Sequence, residues 1–78
     1  MLPILYMEIR EIFARNMKAR RKAMGLSQEE LAHRSQLDRT YISSLERCKY
    51  GVTIDVLAGI ANQLEVSAAD LLSENFEA

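Results

Sequence analysis

The sequence has one cysteine (Cys48), one histidine (His33), one proline (Pro3), three glycines and no tryptophan. One cysteine closes no internal disulfide, and one Cys with one His is too few soft ligands for a zinc site. A reducing, cytoplasmic setting is therefore expected, with no metal or other cofactor. There is no glycine-rich phosphate loop and no nucleophile–base pair, so an enzyme has no residues to carry its chemistry. No run of about 18 apolar residues occurs, which excludes a membrane-spanning helix. The apolar opening from Met1 to Met7 is short, lacks a basic leader and soon meets Glu8 and Arg10, so it does not read as a secretory signal. The 78 residues, 49% of them hydrophobic, suit one domain with a single modest core.

Charge of one sign is also missing, but only locally. The formal net charge is −1, yet all ten Lys and Arg lie between Arg10 and Lys49, where only five acids (Glu11, Glu29, Glu30, Asp38, Glu46) accompany them. From Tyr50 onward there are five acids and no base. Such asymmetry lets one face attract a polyanion while the other stays free for protein contact. A solvated mixed-charge surface would look the same, so the local pattern has to decide.

That pattern is helical throughout, and no strand-like alternation of useful length appears. Leu5, Ile9, Ile12, Phe13, Met17 and Met24 recur mostly at steps of three or four, the spacing of one helix face. Helix 1 is expected from about Tyr6 to Met24, stopped by Gly25. Ser27-Gln28-Glu29-Glu30 reads as a capping box that opens helix 2, which runs to about Ser35 and buries Leu31 and Ala32. Asp38 is placed to cap helix 3, from Arg39 to about Arg47. Only Gln36-Leu37 separates the two helices, so they must cross steeply, as in a helix-turn-helix spanning about 28–47. Thr53 caps helix 4, with Ile54, Leu57, Ile60, Ala61 and Leu64 as its buried stripe. Ser67 and Asp70 form a second box that opens helix 5, with Leu71, Leu72 and Phe76 apolar.

At about 100° per residue, Ile42 and Leu45 of helix 3 point to the core, while Thr40, Ser43, Ser44 and Arg47 point away. Arg39, in the first turn, is long enough to reach across. The outer face is built of hydrogen-bonding groups without an acid, which suits the major groove, where Arg pairs with guanine and Ser or Thr meets base edges. Arg39, Thr40, Ser43 and Ser44 are therefore the candidate base readers, and Arg47 suits a phosphate. Any surface helix can carry such residues. The short turn, the acid-free face and a preceding helix start facing phosphate favour recognition. Gln28, at that start, can bond a phosphate alongside backbone amides; an ordinary exposed glutamine is the plain alternative. Lys49 is a further phosphate candidate, and the Tyr41 hydroxyl can reach the backbone or its ring can pack at the core edge. Lys18, Lys22 and His33 read as solvated surface, and Cys48 as an incidental thiol.

The stretches Gly25–Ala32 and Leu37–Arg47 resemble the Xre and lambda-repressor-like helix-turn-helix family. Leu37–Arg47 is also similar to the controller proteins of restriction-modification systems. The resemblance implies an all-α, compact five-helix domain that binds double-stranded DNA. It implies Gln28 and Arg47 at the DNA backbone, Arg39, Thr40 and Ser44 at bases, Ser43 and Tyr41 beside a base or a phosphate, and an ion pair between Arg21 and Glu46. Against the family pattern, Gln36 and Glu65 stand where glycine is common and Cys48 where glycine or asparagine is, departures that bear on loop geometry more than on the fold; the Gln36 backbone is expected to need a costly left-handed conformation.

A homodimer through helices 4 and 5 (about 54–76) is expected, with Leu64, Val66, Leu72 and Phe76 as its interface, because a two-fold pair doubles the base contacts on a palindrome with half-sites ~34 Å apart. The expected function is a sequence-specific transcriptional regulator, repressor or activator; activation would require direct contact with RNA polymerase or cooperative occupancy of neighbouring sites. The competing class is a protein-interaction module, anti-repressor or antitoxin-like, with the same fold.

Overall fold

A computed structural model describes the backbone of residues 2–78 and the side chains from Glu8 onward, so the expected burial of Leu5 falls outside the described residues. Five helices follow in order: α1 Leu2–Ala23, α2 Gln28–Ser35, α3 Arg39–Glu46, α4 Ile54–Gln63 and α5 Ala68–Leu71. No strand occurs among the described residues. α1 starts earlier than Tyr6, with Pro3 in its first turn, where a missing N–H breaks no helical bond. No helix among the described residues is long and apolar enough to cross a membrane.

The first four helices end by one device. Gly25, Gln36, Cys48 and Glu65 all take positive φ (71°, 57°, 60° and 60°). In each case the amide of that residue bonds a carbonyl three back, and the next amide reaches five back: Leu26 to Arg21, Leu37 to Ala32, Lys49 to Ser44 and Val66 to Ala61, at 2.8–3.1 Å. This is the Schellman termination, which turns the chain sharply and satisfies last-turn carbonyls. The second amide of each pair belongs to the residue that resumes inward packing at Leu26, Leu37 and Val66. The left-handed backbone expected at Gln36 is present, and Cys48 and Glu65, the two other departures from the family pattern, adopt it as well.

The helix starts are capped as the composition suggests, with one exception. Ser27 accepts from the Glu30 amide at 3.0 Å while its own amide donates to the Glu30 carboxylate at 2.9 Å. The Ser27 backbone amide, and after it the Ser27 side chain, hold the Glu30 carboxyl below the usual glutamate range, with a smaller push from Arg34. Thr53 accepts from the Val56 amide, and Ser67 and Asp70 cap each other reciprocally. Asp38 occupies the N-cap of α3 but makes no side-chain cap bond; its carbonyl takes the amides of Tyr41 and Ile42.

Phe13, Met17, Leu31, Ile42, Leu45, Leu57, Ile60, Leu64 and Leu71 form one core, with α2 packed on α3 and α4, α1 on α3 and α5, and α4 on α5. Three expectations change here. Leu64 is fully buried, so it belongs to the core and not to a dimer interface. Ile54 is 82% exposed. Ile9 likewise lies exposed on α1.

Helix 5 is shorter than expected, closing at Leu71, with Phe76 half-buried beyond it. The reason lies in α1. The buried Asn16 side-chain amide donates to the carbonyls of Asp70, Leu71 and Ser73 at 3.4, 3.1 and 2.7 Å. Those are acceptors that further helical turns would need. Arg15 and Arg20 add bonds to the carbonyls of Glu74, Leu64 and Ala78, so part of the basic run on α1 fastens the chain's own end.

Candidate nucleic-acid interface

The candidate surface is built on α3 and on the start of α2. Two left-handed residues set it: Gln36 turns the chain from α2 into α3, and Cys48 releases it after α3. Ile42 and Leu45 anchor α3 by full burial, which leaves Arg39, Thr40 and Arg47 exposed and Ser43 and Tyr41 half-buried at its edges. Lys49 is exposed one turn further on. Arg39, Thr40, Ser43 and Arg47 thus share one open face, as the helix phase predicts.

Ser44 does not join them. Only 6% of it is exposed, which removes it from the accessible face despite its outward phase angle. A wheel angle gives direction but not depth, and a serine side chain is too short to clear what surrounds it.

Beneath this face sits a charged bracket. The Arg21 guanidinium grips Glu46 with Nε to Oε2 at 2.6 Å and Nη2 to Oε1 at 3.0 Å, with 8% and 3% of the two side chains exposed. Arg21 also donates to the Leu26 carbonyl at 2.7 Å, so α1, the α1–α2 turn and α3 meet at one group. Such a buried pair is costly to break even where its net contribution is small. Its place agrees with the expected ion pair, and it leaves Arg21 buried.

Gln28 is tied into the same bracket, a link that sequence spacing did not reveal. Its Nε2 donates to Glu46 Oε1 at 3.0 Å, and its Oε1 lies 3.5 Å from Nη1 of Arg39. Residues 18 and 11 apart in the chain meet here only because α2 and α3 cross closely.

A second surface was also missed. Among the described residues Ile9, Tyr50, Ile54 and Leu72 are the exposed large hydrophobic ones, and they line one shallow groove together with Arg10, Val52, Phe13 and Leu57. Of the expected dimer residues only Leu72 belongs to it; Val66 packs on the core and Phe76 is half-buried elsewhere. The available signal was Ile54 directly after the cap of α4, where a first turn can overhang the core.

The HTH_3 helix-turn-helix family model matches residues 17–71. Over 70 residues the chain is 44% identical to the control protein C.SmaI of Serratia marcescens, covering 90% of this chain and 83% of that one. The crystal structure of a hypothetical transcription factor from Neisseria, NHTF, superposes with a TM-score of 0.81 at 40% identity, covering 83% of this chain and 75% of the other. The restriction-modification controller protein C.Esp1396I, solved as a tetramer in complex with its natural 35 base-pair operator, aligns at a TM-score of 0.74 and 40% identity over 81% of this chain and 83% of its own. The match runs from the second half of α1 to the end of α5, and this chain belongs to the helix-turn-helix family.

Proposed function

We propose that this chain is a sequence-specific DNA-binding transcriptional regulator of the controller-protein kind, acting as a homodimer on a palindromic operator and not as an enzyme. The observation that carries this is the open, acid-free face of α3, with Arg39, Thr40 and Ser43 at its N-terminal end. Arg39 pairs with a guanine edge, Thr40 and Ser43 read neighbouring bases, and Arg47, Lys49 and Tyr41 hold the phosphates. The relatedness to C.SmaI and to an operator-bound controller protein supports the same reading. A cytoplasmic location follows from the function.

The dimer face in this reading is the groove of Ile9, Tyr50, Ile54 and Leu72, covered by a second copy of the chain. Its lining is apolar apart from Arg10, which suits burial against another protein surface. A second copy also supplies the second recognition helix that a palindrome requires.

The test is selection of binding sites from a randomised duplex pool with the wild type and Arg39→Ala in parallel. The wild type should enrich a palindrome, and the variant should lose a guanine preference in each half-site, a discrimination of about 1–3 kcal/mol per base pair. Failure of the wild type to enrich any motif at low salt would reject operator binding in favour of a protein-interaction module.

A further inference from the structure

Four of the five helices carry their own stop. α1 to α4 each run into a residue of positive φ, and among the described residues none follows α5. Nor does Leu72-Ser73-Glu74-Asn75-Phe76-Glu77 hold a glycine or proline that would end a helix. A continued α5 would use the carbonyls of Asp70, Leu71 and Ser73 as acceptors for the amides of Glu74, Asn75 and Glu77. Those three carbonyls are the ones that the buried Asn16 amide takes from α1. The Asn16 oxygen accepts from Nε of Arg15, which leaves the NH2 group turned to the end of α5. The chain departs instead through a turn in which the Phe76 amide reaches the Ser73 carbonyl at 3.3 Å.

This external stop bears on the apolar groove. Leu72, directly after α5, lines the groove, and Phe76 does not. Residues four apart on a helix share a face, so a continued α5 would stack the Phe76 ring beside Leu72 at the groove's edge. We propose that Asn16 is a positioning residue for assembly: by ending α5 from outside, it keeps Phe76 off the Leu72 side and leaves the groove open to a second copy of the chain. This rests on the groove being the dimer face. Asn16 does not itself line the groove, so it acts only through the path of the chain after Leu71.

The experiment compares the full chain with Asn16→Ala, Glu74→Pro and the double variant, by sedimentation velocity and by the Cα chemical shifts of residues 72–77. Asn16→Ala removes both donors, so these shifts should turn helical and the dimer should weaken by about tenfold or more. Glu74 is the second residue of the turn closed by Ser73 and Phe76, where proline is favoured; proline there also denies the Asp70 carbonyl a helical partner. Glu74→Pro alone should change neither readout, and in the Asn16→Ala background it should restore both the turn and the dimer. Asn16→Leu, which keeps the volume without the donors, is read in the same way should the alanine variant fail to fold. A dimer loss that proline does not restore would overturn positioning in favour of plain structural damage. Unchanged shifts, or a dimer as tight as the wild type or tighter, would overturn it outright. If Ile54→Glu leaves the dimer intact, the groove reading itself fails and positioning falls with it, while the shifts still report whether Asn16 ends α5.

Discussion

The outer face of α3 and the groove beside the start of α4 are both exposed, yet they are made from opposite materials. The first carries Arg39, Thr40, Ser43 and Arg47 over a buried ion pair that fixes where the helix sits. The second carries Ile9, Tyr50, Ile54 and Leu72, with Arg10 as the one charged side chain in its lining. A polar surface with precise support suits a ligand of defined hydrogen-bonding geometry. An apolar surface with less directional demands suits burial against another protein face. In the proposed reading, recognition and assembly therefore use different surfaces of one small chain.

This division can be broken most severely from below the polar face. Glu46→Ala leaves Arg21 buried without its carboxylate and should cost about 3–5 kcal/mol in urea unfolding. That would be a large share of the stability of a domain of this size. A loss well under 1 kcal/mol would show that the bracket is dispensable and that α3 is held by Ile42 and Leu45 alone.

On the apolar side, Ile54→Glu should leave unfolding nearly unchanged, because the side chain is already in water in the single chain. It should convert the protein to a monomer in sedimentation velocity at micromolar concentration. Affinity for the full palindrome should then fall by about 100-fold as the two half-sites lose their linkage. A variant that remains dimeric would place the assembly face elsewhere.

The smallest effect is a gain. Glu65 holds a left-handed backbone that suits glycine, and it is exposed on the chain's outer surface. Glu65→Gly should raise stability by about 1 kcal/mol, a shift of roughly 5 °C in Tm, without touching DNA affinity. A loss of stability would mean that the glutamate side chain compensates its own strain.

The elements were largely legible in the residues because their signals are local. Ser27 with Glu30 and Ser67 with Asp70 open helices by bonds within four residues, and Gly25 closes one. The left-handed position at Gln36 came through comparison with a family pattern, while those at Cys48 and Glu65 were not foreseen, since neither residue type announces such a backbone. The early end of α5 was hidden because Asn16, 54 to 57 residues away, takes its carbonyls. Ser44 and Ile54 were misplaced for a shared reason: periodicity reports which way a side chain points, and neither position's cover comes from its own helix.

By itself, then, the sequence determined that the chain is all-helical, where α2 to α4 begin and end, and that α3 turns a polar, acid-free edge outward. Those features follow from caps, turn residues and phase, whose physics acts over a few residues. Tertiary structure decided that Gln28, Glu46, Arg21 and Arg39 form one connected bracket, that Leu64 belongs to the core, and that Ile9, Tyr50, Ile54 and Leu72 share an exposed groove. Those features depend on which helices meet and at what depth, and that is set only when distant segments compete for the same buried space.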